Sequence, residues 1–443
     1  MNKKTDRKTI FSWCMYDWAN SAFITCITTV ILQRYYLSLF KDHEHVEITL
    51  LGVIWHTSGL ALWAYTSALS MFALILVAPV FGAIADMSRS KKRFLGFCVI
   101  TGAVATAAIS MVTKGDYLLC SILYIIAYFL WSSGNIFYDG FLPELADEPE
   151  GMDSISAQGY GLGYLGGFIA LLICACAIFG HGLIGLEKAD AMRLTFLIVA
   201  IWWFVFTIPL FKNVYEEGGK SANLRVPGYV KAGFSRLSHT LLKIRKLPNL
   251  GRMLIAFLLY NAGIGTIMNV ATSYGKSELN LTDSTLIGVM LAVQILSFPS
   301  ALMYIKFARK VGARTSILAG LSVYVIVVVF AMQISTALEF WILGVLISLV
   351  QGGTQAMSRS LYGSMIPESM AAEFFGFFSV FNKVGPFFGP LFFGVIKDVT
   401  GSSRLAILFL VIFFILGFLA LLTVNTKKGR EEAKAFTALS GMS

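Results

Sequence analysis

Charged residues make up only 14% of this 443-residue chain, and 57% of its residues are hydrophobic. A soluble domain carries about 25% charged and about 45–50% apolar residues, so a soluble multidomain architecture is excluded. The six cysteines, Cys14, Cys26, Cys98, Cys120, Cys174 and Cys176, fall mostly inside apolar stretches and lack zinc-type spacing. They read as small buried hydrophobes and provide no disulfide framework. No His-Glu-x-x-His and no Gly-x-Ser-x-Gly is present; neither an enzyme nor a bound metal or cofactor is expected. A signal peptide needs a small-residue cleavage site after a short core; the apolar stretch after Lys3, Lys4, Arg7 and Lys8 instead runs on through Gln33-Arg34-Tyr35-Tyr36, so it is expected to stay as a first helix.

What fills the chain instead is twelve apolar stretches near bilayer-spanning length, roughly 20 residues. The spans are expected at about 17–40, 58–86, 94–113, 117–142, 157–180, 192–212, 252–275, 284–307, 314–333, 337–362, 373–397 and 404–424. The net charge of +10 raises nucleic acid as a partner, but the bases sit between apolar spans and not on one surface. One set of connections holds Arg89 to Arg93, Lys220 to Lys246, Lys306 to Arg314 and Lys427 to Arg430, while the alternate set is nearly bare. The positive-inside rule assigns the first set, and with it both termini, to the cytoplasm. The expected organisation is an N-terminal six-helix bundle (1–212), a basic cytoplasmic linker (213–251), a C-terminal six-helix bundle (252–424) and a cytoplasmic tail (425–443).

The chain also repeats itself. Tyr138-Asp139-Gly140-Phe141-Leu142-Pro143-Glu144 closes the fourth span and Tyr362-Gly363-Ser364-Met365-Ile366-Pro367-Glu368 the tenth, and each precedes a glycine-rich span. The basic connection near Lys92 recurs near Arg314. Two six-helix halves related by an axis along the membrane normal describe the major facilitator fold. The expected class is an all-α membrane protein, with twelve transmembrane helices in two pseudo-symmetric six-helix bundles.

In that fold the first, fourth, seventh and tenth helices surround the central path. Residues three and four apart share a helix face. Asp17, Ser21, Thr25 and Thr28 align on the first span, and Tyr128, Ser132, Asn135 and Asp139 on the fourth. Asn261, Gly265 and Asn269 align on the seventh, and Ser348, Gln351, Gln355, Ser358 and Tyr362 on the tenth. These stripes either meet around water or tie helices together by hydrogen bonds. Lys383 lies about ten residues into the eleventh span, roughly 15 Å deep at 1.5 Å per residue; a charge there needs hydration or a partner. It is either a substrate anchor or half of a packing ion pair. Substrate contacts are thus sought at Lys383, Asn135, Asn261, Gln351, Gln355, Thr25 and Ser21. Arg359 either reaches Glu368 or Glu373 as a gate latch or simply reaches lipid headgroups. Asp17 and Asp139 are either proton sites or partners of nearby bases. Gly82-Ala83-Ile84-Ala85-Asp86 with Arg89 and Lys92 resembles the Gly-x-x-x-Asp connection between the second and third helices of major facilitators, a resemblance that implies a latch that breaks when the halves rock. Gly161, Gly163 and Gly166 satisfy a dinucleotide pattern, but they open an apolar span and read as helix-packing residues.

Tyr16-Asp17-Trp18-Ala19-Asn20-Ser21-Ala22-Phe23 resembles the opening signature of the vacuole-effluxer-like branch of the major facilitators, the relatives of autophagy-related protein 22. Gly161 to Gly167, and Gln355 to Leu361 continuing through Glu373-Phe374-Phe375-Gly376-Phe377, Lys383 and Gly389-Pro390, resemble it too. The resemblance implies a twelve-helix secondary transporter, and its fungal members are linked to amino-acid export from the vacuole. With the polar stripes and Lys383, the expectation is a monomer in the cytoplasmic membrane. It would move a small polar molecule, an amino acid or related carboxylate, by alternating access, with membrane lipids as its other partners. The alternatives are a lipid or amphiphile transporter, and a non-transporting receptor or scaffold on the same fold.

Overall fold

A computed structural model describes residues 6–41, 46–50, 53–57, 59–88, 90–146, 148–183, 185–216 and 244–440. The first half starts with α1 (Arg7–Ala22), a π-helical stretch (Phe23–Ile31) and α2 (Leu32–Ser38), stacked as one interrupted span. The helix begins ten residues before the expected start. Asp6 caps it, its carboxylate accepting from the Lys8 N–H at 3.3 Å, which satisfies one of the free donors of the first turn. A two-stranded antiparallel hairpin follows, β1 (Val46–Leu50) and β2 (Val53–Thr57). It departs from the all-helical expectation in a stretch rich in β-branched residues. Then come α3 (Gly59–Ser88), α4 (Lys91–Ala108), α5 (Tyr117–Asp139), the short α6 (Leu142–Leu145), α7 (Pro149–Phe179) and α8 (Lys188–Asn213). α7 starts eight residues before the expected boundary, so part of the acidic connection is helical.

The second half comprises α9 (Pro248–Leu279), α10 (Asp283–Val311), α11 (Ala313–Ala331), α12 (Ala337–Gly363), α13 (Ala371–Thr400), and α14 (Ser403–Leu408) with α15 (Leu410–Leu422). An amphipathic α16 (Thr426–Ser440) follows. Among the described residues nine helices are long and apolar enough to cross a membrane, ten with the bent pair inside α3. The interrupted first span and the 30-residue α13 make a total consistent with twelve.

Within the first half α1 packs on α7 and α8, and α5 on α3 and α4; within the second, α9 packs on α13 and α15, and α12 on α10 and α11. The halves meet where α3 lies along α13 and where α7 lies along α10 and α12. Gly163 and Gly166 permit the tight α1–α7 seam. A methyl at Gly166 would stand 2.5 Å from the Trp18 carbonyl oxygen, and one at Gly163 2.8 Å from Ser21 Oγ. Aromatic stacks fill each core, Trp13 on Tyr138 at 4.2 Å and Phe257 on Phe378 at 4.3 Å. The outer surface is the reverse of a soluble protein's: Ile122, Ile126, Phe204, Ile326, Phe409 and Leu419 are all exposed. Such a continuous apolar exterior is stable only against lipid.

Both described chain ends and residues 213 and 248 lie at one end of the bundle, here the terminal end. Thr9 Oγ1 donates to the Asn213 carbonyl at 3.3 Å, and Asn249 Nδ2 donates to Glu432 of α16 at 2.7 Å.

Candidate functional site

A cavity of about 580 Å³ lies between the halves. All four expected helices contribute to its wall. Asp17, Ser21, Thr25 and Thr28 come from the first span, and Asn135 and Asp139 from α5; Asn261 and Asn269 come from α9, and Gln351 and Gln355 from α12. The stripe on α12 divides. Ser348, Ser358 and Tyr362 do not border the cavity; Ser358 Oγ meets Tyr260 Oη at 2.6 Å, and Tyr362 Oη donates to the Phe374 carbonyl. Those side chains tie helices together, the alternative role for polar groups in a bundle.

The cavity wall is a set of amide and hydroxyl pairs. Asn20 Nδ2 donates to Asn135 Oδ1 at 2.9 Å, and Asn261 Nδ2 to Asn382 Oδ1 at 3.0 Å. Two pairs cross between halves, Tyr164 Oη to Gln355 Oε1 at 2.6 Å and Gln294 Nε2 to Thr25 Oγ1 at 3.1 Å. Asn20, Asn382 and Gln294 were missed from sequence. Gln294 is the one amide side chain in its apolar span, a signal of the kind that singles out Lys383.

The floor of the cavity, toward the terminal end, is an ion cluster. Arg359 on α12 is 2% exposed. Its Nη2 donates to Asp17 Oδ2 at 3.1 Å, its Nη1 to Asp139 Oδ1 at 3.2 Å and its Nε to Ser156 Oγ at 2.9 Å. The rings of Tyr160 and Trp13 lie 4.3 and 5.0 Å from the guanidinium carbon. The expected partners Glu368 and Glu373 are therefore incorrect. The buried face of α12 turns Arg359 away from its own connection, between α1, α5 and α7, where two carboxylates already converge. Tyr138, the first residue of the repeated motif, donates to Asp17 Oδ2 at 2.8 Å. Beside this cluster Ser360 Oγ donates to Asp153, another bond between halves.

Asp86 does not border the cavity. It caps α13 from the other half, accepting from the Glu373 N–H at 2.7 Å and the Ala372 N–H at 3.3 Å; a carboxylate suits a helix N-terminus. Its base is Lys91, 3.4 Å away, which also reaches Glu144 at 2.5 Å. From sequence, Arg89 and Lys92 are the expected bases. Arg89 lies outside the described residues, and Lys92 Nζ sits over the Tyr215 ring at 5.9 Å.

Lys383 borders the cavity. Its ammonium lies 4.7 Å from the Trp131 ring centroid and 5.2 Å from that of Tyr128. Among the described residues no carboxylate pairs with it. It is thus a cation held on aromatic faces, with open space on its other side. Trp131 is itself fixed, its Nε1 donating to the Asn20 carbonyl at 3.1 Å.

The π-helical stretch was not foreseen. Its i→i+5 closure puts more residues in each turn than an α-helix does. Thr29 Oγ1 donates five residues back to the Ile24 carbonyl at 2.8 Å. The turn brings Thr29, Val30 and Gln33 onto the cavity wall beyond Thr28; an unbroken α-helix would carry them off that face.

Two helical halves around a polar cavity, closed at one end by bonds between them, have the architecture of a major facilitator transporter. Solved structures agree on the fold. The major facilitator transporter FucP in its outward conformation matches with a TM-score of 0.68 at 12% identity, covering 96% of this chain and 100% of that one. The human organic anion transporter MFSD10 matches with a TM-score of 0.67 at 13% identity, covering 95% and 100%. The chain belongs to the family described as vacuole effluxer Atg22 like, whose model matches residues 5–434. Among its relatives are the uncharacterized MFS-type transporter YxiO of Bacillus subtilis, 35% identical over 96% of each chain, and autophagy-related protein 22 of Eremothecium gossypii, 24% identical over 98% of this chain and 94% of that one. The protein is an integral membrane transporter and not an enzyme.

Proposed function

We propose that this protein is a secondary active transporter for a small polar solute bearing a carboxylate, an amino acid or a related acid, in the cytoplasmic membrane. The observation that carries this reading is Lys383, a cation on the cavity wall whose neighbours among the described residues are ring faces and not an acid. A carboxylate completes its coordination, and the amides of Asn135, Asn261, Gln351 and Gln355, with the hydroxyls of Ser21 and Thr25, supply neutral donors and acceptors for the rest of the solute. With the basic connections in the cytoplasm, both termini are cytoplasmic and the Arg359 cluster closes the inner end. The cavity then faces outward. The halves 1–212 and 252–424 rock about the cavity, with Arg359, Asp17, Asp139 and Asp86 as the inner gate. A monomer suffices, because the cavity lies within one chain.

The test is uptake of labelled amino acids and carboxylates into proteoliposomes. Uptake that falls at least tenfold in Lys383→Ala supports the anchor. Uptake that is unchanged in that variant removes the anchor, and failure of every carboxylate to enter rejects the substrate class.

A further inference from the structure

The cavity wall changes character partway along three of its helices. On α5 it passes from Asp139 and Asn135 to Trp131, Tyr128 and Tyr124. On α9 it passes from Asn261 to Ile267 and Met268, and on α12 from Gln355 and Gln351 to Ile347 and Leu343. Each series runs away from the terminal end, so the cavity is polar near its floor and largely apolar beyond. Met71 of α3, Met268 of α9 and Met290 of α10, all half-buried, line the far part together with Val293. Thr28, Thr29, Gln33, Ser67 and Asn269 are polar exceptions there. Lys383 stands at the change, its ammonium over the rings of Trp131 and Tyr128. A volume of about 580 Å³ suits a drug-sized molecule and exceeds what a short aliphatic acid fills.

We propose, resting on the carboxylate reading above, that the solute is an amine-free carboxylate with an apolar tail: the carboxylate sits on Lys383 and the tail lies among Met71, Met268, Met290 and Val293. Apolar wall and apolar tail then leave water together, which is the favourable term. Methionine is unbranched and adapts to surfaces of different shape, so three of them from three helices admit tails of more than one form. Position disfavours an amine. An α-amino acid carries both charged groups on one carbon. The acids that border the cavity among the described residues are Asp17 and Asp139, both at the floor and both held by Arg359. Asp139 and Trp131 stand about two turns apart on α5, roughly 12 Å. A carboxylate on Lys383 therefore leaves an ammonium beside it without an acid, and an unpaired charge out of water is costly.

Calorimetric titration of the full chain in nanodiscs, with empty nanodiscs as the blank, tests this on acetate, butanoate and hexanoate. Affinity should climb with chain length, by up to about fourfold for each buried methylene, and hexanoate should bind at least tenfold tighter than acetate. Norleucine, which is hexanoate with an α-amine, should bind at least tenfold weaker than hexanoate. Met268→Gln combined with Met290→Gln should flatten the climb and leave acetate unchanged, whereas Lys383→Gln should weaken every acid alike and keep the climb. Equal affinities for acetate and hexanoate in the unaltered protein overturn the proposal without recourse to any variant. Norleucine binding as tightly as hexanoate, or a climb untouched by the double methionine variant, overturns it as well. Hexanamide separates the two readings. If it matches hexanoate and the climb persists, the carboxylate reading falls and takes the proposed head group with it; a flat climb in which acetate still needs Lys383 removes the tail alone.

Discussion

The guanidinium of Arg359 on α12 lies 3.1 Å from the carboxylate of Asp17 on α1, joining opposite halves across 342 positions of sequence. The same group holds Asp139, so three helices converge on one planar cation that can serve both acids at once. Removing it leaves two carboxylates in a closed site. Arg359→Ala should destabilise the protein by about 3–5 kcal/mol, the usual cost of breaking a buried pair from one side. Thermal denaturation in detergent checks this, and adding Asp17→Asn and Asp139→Asn should recover part of the loss. A melting temperature unchanged in the single variant would contradict the closed floor.

Lys383 and Trp131 are expected to separate charge from ring in ligand binding. Lys383→Gln should cost a charge-assisted bond, about 1.5–3 kcal/mol, or roughly ten- to a hundredfold in solute affinity. Trp131→Phe keeps a face under the ammonium and should cost less than Trp131→Leu. Solute-induced thermal stabilisation measures all three, and equal losses for Phe and Leu would remove the ring from the account.

Gly166→Ala should weaken the fold, because the new methyl would meet the Trp18 backbone at 2.5–2.9 Å. Overpacking of this kind costs about 1–3 kcal/mol. Gly182→Ala is the control, since nothing lies within 4 Å of its added carbon. Comparable denaturation curves for the two variants would reject the tight α1–α7 seam.

Asn249→Ala should free α16 from the bundle. Asn249 donates to Glu432 through its side chain and its backbone, at 2.7 and 3.2 Å, and accepts from the Asn425 N–H at 2.9 Å. Limited proteolysis should then cut residues 426–440 faster than in the parent protein. Equal cleavage rates would show that other contacts hold the helix.

Hydropathy exposed the spans because a bilayer demands about the same length of apolar helix each time, and the Tyr138 and Tyr362 motifs exposed the duplication. The polar stripes led to the cavity wherever ordinary helical spacing held, as at Asp17, Ser21 and Thr25. They stopped short at Thr28, because a π turn has no compositional signature and carried Thr29 and Gln33 onto the wall unannounced. Ion partners were the least legible. Arg359 was matched to acids near it in the chain, whereas its acids lie on α1 and α5. Lys91 was passed over for its neighbours, a choice that depends on the rotation of one helix end.

The interrupted first span has a mechanical consequence. A π stretch holds residues beyond what an α-helix of equal height would contain, and such a surplus can be shed or shifted without breaking the span. Moving one residue out of it turns everything above by one residue's arc, about 100° at 3.6 residues per turn. Gln33 and the aromatic pair Tyr35 and Tyr36 would swing together like the head of a screw. The mouth of the cavity away from the Arg359 floor can thus be re-lined by winding a single helix, independently of any rocking of the halves.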